Sequence, residues 1–142
     1  MDDSFDTYRR SPLHYAAAEG QAAVVRRFLA AGVDPNRSDR ADWTPLHFAA
    51  QANSAESVAA LIEAGAEVDP RDEHGNTPLF RAVFNSRGEG DVIVLLRAHG
   101  ADPHAVNRHG VSPLALARKI ANYDVRQHFA DIAAEGALHP AD

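Results

Sequence analysis

The sequence contains no cysteine. That excludes disulfides, thiolate nucleophiles and cysteine-ligated zinc together. Lysine is nearly missing: Lys119 is the only one within a Lys+Arg count of 14, the rest being arginine. Tryptophan occurs once, as Trp43. No apolar stretch approaches the roughly 20 residues that span a bilayer, so no membrane partner is expected. Met1 to Arg10 carries Asp2, Asp3 and Asp6 where a leader would be basic and then apolar, and a cytoplasmic location is expected. Acidic residues number 20, for a net charge of −6. A phosphate backbone would repel such a chain, which argues against nucleic-acid binding.

What is present is a globular balance. Apolar residues make up 45% and charged residues 24% of the 142, enough to form a core and too apolar for wholesale disorder. That length fits one compact domain or an elongated array. Four similar blocks decide between them: Ser11-Pro12-Leu13-His14, Thr44-Pro45-Leu46-His47, Thr77-Pro78-Leu79-Phe80 and Ser112-Pro113-Leu114-Ala115. Their prolines stand 33, 33 and 35 residues apart. Each block reads as a helix start. The hydroxyl residue caps orphan N–H groups, and proline takes the first helical position, where a missing N–H costs nothing.

A second helix is expected in each unit, marked in the first three by Val24, Val25, Phe28 and Leu29, by Val58, Leu61 and Ile62, and by Val92, Ile93, Leu95 and Leu96. Gly32, Gly65 and Gly100 supply the left-handed residue that ends it. Polar turns follow, running from Asp34 to Asp42, Asp69 to Gly75 and Asp102 to Gly110. Asp42 stands where the other two turns have glycine, and aspartate tolerates positive φ. In the last unit Val125, Phe129 and Ile132 share one face, while Arg126, Gln127 and Asp131 point elsewhere, as a terminal unit requires. Arg26 and Arg27 do the same for the first unit. The two extra residues of the third unit belong to a solvated loop, Asn85 to Asp91. The tail from Ala133 to Asp142 is expected to fray.

These residues resemble the ankyrin repeat in period and in the Thr-Pro-Leu-His-x-Ala signature. The resemblance covers about Asp6 to Ile132. It implies an all-α repeat solenoid of four ankyrin repeats: antiparallel helix pairs with projecting β-turn or hairpin loops. A single domain is expected over 1–132, with repeats at about 6–38, 39–71, 72–106 and 107–132, and a tail at 133–142.

Catalytic chemistry finds little support. His14 and His47 belong to the signature, where the family uses that residue to tie turns together. His99, His104 and His109 recur every fifth position, but across a helix end, a turn and a hairpin, with no HExxH spacing. No metal is expected. There is no G-x-S-x-G elbow, and Gly88-Glu89-Gly90 lacks the other glycines of a dinucleotide loop and the lysine of a phosphate loop. No cofactor and no enzymatic activity are expected, a metal-dependent hydrolase being the disfavoured alternative.

A binding surface remains. In the family, partners usually meet the concave side, built from hairpin tips and the exposed ends of the first helices. The resemblance places Tyr8 and Arg10 there in the first unit, Arg40, Trp43 and Gln51 in the second, and His74, Asn76, Phe84 and Asn85 in the third. Arg108, His109 and Lys119 come from the fourth. Trp43 precedes its cap in a turn, where packing demands no aromatic, and Trp, Tyr and Arg dominate binding hot spots. Truncating it is therefore expected to cost binding rather than stability, the alternative being that Trp43 packs over the neighbouring repeat and stabilises the array. The chain reads as a protein-binding module, monomeric on its own, whose negative charge favours encounter with a basic partner.

A narrower resemblance rests on Thr77 to Gly88, Gly110 to Leu114 and Ile120 to Val125. These stretches are similar to small bacterial ankyrin proteins encoded beside secreted antibacterial toxins. That similarity implies an immunity protein that neutralises a cognate toxin by stoichiometric binding. A non-inhibitory scaffold or regulatory adaptor is the alternative.

Overall fold

The computed structural model describes residues 7–86, 89–120 and 123–132, without the side chains of Tyr123 and Asp124. Asp2, Asp3, Asp6, Arg87, Gly88, Ala121, Asn122 and the tail from Ala133 to Asp142 lie outside the described residues. Helices pair along the chain: α1 (Pro12–Ala18) with α2 (Ala22–Ala30), α3 (Pro45–Gln51) with α4 (Ala55–Glu63), and α5 (Pro78–Phe84) with α6 (Asp91–Ala98). A fourth unit has α7 (Pro113–Lys119) and a single turn, α8 (Tyr123–Arg126), which tightens into a 3-10 turn at Gln127–Phe129. No strand occurs among the described residues, and no helix there is long and apolar enough to cross a membrane.

The caps explain where these helices begin. Ser11, Thr44, Thr77 and Ser112 are extended, each with proline next at the first helical position. The hydroxyls of Thr44, Thr77 and Ser112 accept the N–H of His47, Phe80 and Ala115, meeting one orphan donor each. The second helices end in one pattern. Gly32, Gly65 and Gly100 have φ of 91°, 98° and 93°. The N–H groups of Val33, Ala66 and Ala101 then reach back to the carbonyls of Phe28, Leu61 and Leu96. That is the bonding of a Schellman motif, which satisfies carbonyls the helix leaves open.

Stacking follows from the apolar stripes. The first helices α1, α3, α5 and α7 pack in series as one layer, and α2, α4 and α6 pack in series as a second. Leu13, Leu46, Leu79 and Leu114 lie between the layers with Ala17, Ala50, Val58, Leu61, Ile93 and Leu96, all buried in one continuous core. Alanine where helices cross lets the backbones approach. At the end of the array Val125 and Phe129 are buried, while Arg126, Gln127 and Asp131 face water. Arg97 of α6 fastens this shortened unit with a two-pronged contact to Asp131, 2.7 and 2.8 Å, and a bond to the His128 carbonyl.

The hairpin tips form a third feature. The N–H of Arg40 donates to the Tyr8 carbonyl, Glu73 to that of Ala41, and Arg108 to that of His74, so each tip is bonded to the one before it. One residue per tip takes positive φ: Arg9 at 61°, Asp42 at 65°, Gly75 at 79° and Gly110 at 76°. Gly75 is constrained twice, because an added Cβ would stand 3.0 Å from the Arg108 nitrogen. In the third unit α5 ends at Phe84 and α6 begins at Asp91, against connections of only 19–21 and 52–54 earlier. The longer connection is anchored at its root, where the Asn53 amide donates to the Asn85 carbonyl at 2.7 Å and to that of Ser86.

One position in the stack carries a mismatched group. Asn36 accepts the Glu67 N–H and donates its own amide to the Gly65 carbonyl, bridging two turns. Asp69, four residues past Gly65 as Asn36 is past Gly32, accepts the Asp102 N–H through Oδ2. Its Oδ1 is buried without a partner. Burial pushes this carboxyl above its usual range, with the Asp102 charge adding to the effect. A group with a raised folded pKa favours the fold when protonated and loses that contribution as pH rises through its folded value. Asp69→Asn is therefore expected to raise stability at neutral pH by about 1 kcal/mol, measured by denaturant unfolding, with the gain shrinking in acid. Leu46→Ala, at a fully buried site, is expected to cost about 2–5 kcal/mol through the cavity it leaves.

Candidate functional site

The face carrying the expected site residues is organised by three side chains in the hairpins, Asp39 and Asp72 buried and Asn107 half-buried. Asp39 Oδ1 accepts the N–H groups of Ala41 and Trp43, Asp72 Oδ1 those of His74 and Asn76, and Asn107 Oδ1 those of His109 and Val111. Each lies five residues before a cap (Thr44, Thr77, Ser112), and each closes its tip by satisfying two backbone donors. The second oxygen of the two aspartates is turned to the face. Asp39 Oδ2 accepts from Arg10 at 3.0 Å and Asp72 Oδ2 from Arg81 at 3.0 Å. Burial opposes ionisation of Asp72, but the Asn76 amide, Arg81 and the His74 amide outweigh it and hold the carboxyl below its usual range.

Those arginines lie on rings. The Arg10 guanidinium is 4.8 Å from the Tyr8 ring centre, 5.8 Å from Tyr15 and 5.1 Å from Phe48. Phe48 meets Trp43 at 4.7 Å, and Arg81 covers the indole at 4.4 Å. The result is one strip running Tyr8, Arg10, Phe48, Trp43, Arg81 across three units. Cation–ring contacts of this kind contribute about 0.5–2 kcal/mol each, more as water is excluded. Salt bridges hold both cations in place, so their orientation is fixed in advance of any partner.

Beneath the strip the histidines lock the hairpins to the helices. The N–H groups of Ser11 and Thr44 can only donate, so Nδ1 of His14 and of His47 accepts from them. Nε2 then carries the proton and donates to the next hairpin: His14 to the Trp43 carbonyl at 3.2 Å, His47 to the Asn76 carbonyl at 2.9 Å. Burial disfavours the imidazolium in both, lowering the His14 pKa and taking that of His47 to about 4. Phe80 and Ala115 occupy the same position in the last two units, so this tie is missing there. The third and fourth hairpins are joined instead by the Asn107 amide donating to the Asn76 side-chain oxygen at 2.9 Å and by a bond from Arg71 to the Val106 carbonyl.

The expected site residues divide accordingly. Tyr8 (56% exposed) and Phe84 (63%) stand out into solvent, and Arg40, Gln51, His74, Arg108, His109 and Lys119 are exposed around them. Arg10 and Asn85 are half-buried, the Asn85 amide donating to the Arg81 carbonyl. Two expectations change. Trp43 is half-buried and packed against the core between Phe48 and Arg81, so its truncation costs stability as well as surface. Asn76 is only 7% exposed, its carbonyl taken by His47 and its side-chain oxygen by Asn107, and it joins units rather than facing outward. Sequence reasoning missed Tyr15, Phe48 and Arg81, which follow their caps by four residues. It also missed Asp39, Asp72 and Asn107, although their constant distance from the caps was legible.

No group of His, Asp or Glu suited to a metal ion occurs among the described residues. A cavity of about 590 Å³ lies at the far end of the array between α7 and the last turns, lined by Leu114, Ala117, Phe129 and Ile132 among others. Smaller clefts of about 220 and 390 Å³ lie between hairpins, around Asp42 and Arg71. The strip itself is a relief of rings and guanidinium groups.

A unit that repeats a Ser/Thr-Pro cap, two layered helices and a tip bonded to its neighbour is an ankyrin repeat. The family described as Ankyrin repeats (3 copies) matches residues 13–107, and the chain belongs to the ankyrin-repeat family. Ankyrin repeats are protein–protein interaction modules. No curated protein matches the chain.

The histidine lock gives a pH dependence with a definite sign. A folded pKa depressed to about 4 means that the unfolded chain binds the proton first. The His47 contribution is present in full above pH ~6.5 and is lost as pH falls from there through about 4. Thermal melts across that window are expected to show a steep fall in Tm for the wild type and a shallower one for His47→Gln. Equal slopes would remove His47 from the account.

Proposed function

We propose that this chain acts by occupying the surface of another protein through its concave hairpin and first-helix face, and that it serves as an immunity protein, neutralising a cognate toxin by stoichiometric binding. The observation that carries the binding reading is the pre-ordered strip from Tyr8 to Arg81 with Phe84 standing exposed beside it. Phe84 fills no core position, and aromatic and arginine side chains are the types that anchor interfaces. Holding the arginines by buried carboxylates removes part of the entropic cost of ordering them on association. Binding is all this surface needs to do, and no catalytic role is assigned to it. The immunity role is supported by the resemblance of Thr77 to Gly88, Gly110 to Leu114 and Ile120 to Val125 to bacterial proteins of that type.

Copurification followed by coexpression tests the reading. A growth-arresting protein captured in a one-to-one complex, and relieved of toxicity by coexpression, is the expected result. A captured protein that keeps its activity would make this chain an adaptor instead. Phe84→Ala is expected to weaken the captured complex by about 2 kcal/mol with Tm unchanged, whereas Trp43→Ala lowers both. Full affinity in a Tyr8→Ala/Phe84→Ala double variant would move the binding site off this face.

A further inference from the structure

The binding face carries rings and cations along its length. Tyr8, Tyr15, Phe48 and Trp43 lie in the first two units, and Phe84 of the third stands exposed. Arg10 and Arg40 of the first two units are followed by Arg81 of the third, half-buried, and by Arg108 and Lys119 of the fourth, both exposed. The exposed histidines His74 and His109 stand among them. Glu73 is the exposed carboxylate on the tips of these two units, and the His74 ring stands 3.7 Å from it. The Asp72 carboxylate is buried and already committed to Arg81 and to two backbone amides. Asp42 at the second tip and Glu19 at the end of α1 are exposed as well, but most acids among the described residues lie elsewhere. Glu56 and Glu63 are on α4, Asp91 on α6, and Asp34, Glu67 and Asp102 in the turns behind the second helices.

Whole-chain charge favours a basic partner, but it is the wrong quantity at short range. At physiological ionic strength a charge is screened over about 8 Å, so a docked segment responds to the groups it touches. Extending the reading above, and resting on it, we propose that this face takes an acidic segment of the partner, its carboxylates at the Arg81, Arg108 and Lys119 end and its apolar side chains toward Phe84 and the rings of the first two units. Acids behind the second helices would repel such a segment from the opposite side of the molecule. Charge therefore favours docking on this face over the opposite one.

The test uses the full chain with fluorescein-labelled hexaglutamate and hexalysine peptides, read by anisotropy at physiological and raised salt. Trp43, the only tryptophan, serves as a reporter beneath Arg81. Saturable hexaglutamate binding that shifts the Trp43 emission and weakens with salt is expected. Two double variants change the net charge equally: Arg108→Glu/Lys119→Glu on the face, and Arg26→Glu/Arg27→Glu on the exposed side of α2. The first is expected to weaken hexaglutamate binding about tenfold or more, the second about twofold or less, with melts confirming that both fold. Equal effects of the two pairs, tighter binding of hexalysine, or no saturable hexaglutamate binding would each overturn the proposal. If capture of the partner still depends on Phe84 in that event, the face remains a binding face and only the acidic character of its partner falls. Loss of the Phe84 dependence would remove the face itself.

Discussion

Everything on the working side of this molecule depends on how a short hairpin disposes of its own backbone. A tip of a few residues has too few carbonyls within reach to satisfy its N–H groups, and leaving them bare beside a core is costly. Asp39, Asp72 and Asn107 supply the missing acceptor from within the hairpin. Once one carboxylate oxygen is spent on two amides, the other can do one thing, and it holds an arginine. The strip of rings and guanidinium groups thus follows from a backbone requirement. Where the acceptor is the neutral Asn107 instead, its amide reaches back to Asn76 and no arginine is recruited. Structure and candidate site are here two uses of the same side chain.

Much of the architecture was legible in the residues. Period, caps, prolines and helix-ending glycines are local signals, each with a mechanism acting within a few positions. The described structure bears them out from Pro12 to Gly100. Asp42 taking positive φ in place of glycine is another such local reading. The shortened α8 departs from the regular last helix that the spacing of Val125, Phe129 and Ile132 suggests. The same three residues still turn inward, because burial needs only the face and not a continuous helix.

The site was less legible because it is made across units. Nothing near Trp43 in sequence indicates that Arg81, from the following repeat, will cover its ring, while Phe48 of its own repeat closes the other side. Read within its own turn, the indole is stranded. Asn76 misleads in the same way, since two of the groups that claim it, His47 and Asn107, come from other repeats. Phe84 and Tyr8 are the complementary case: their neighbours across the stack leave them open, and exposure is what local reasoning expects.

The uneven distribution of the histidine tie has a mechanical consequence. In a stack where each unit touches only its neighbours, stability is a sum of intrinsic terms and junction terms. The first two junctions are each sewn by an imidazole running from helix cap to the following hairpin. The third lacks that stitch and leans on side-chain amides and on Arg97 clasping a truncated final turn. Such an array is expected to loosen first at its last unit, with the first three staying assembled, and the weak junction is marked by Phe80, which stands where His14 and His47 stand in the two units before it.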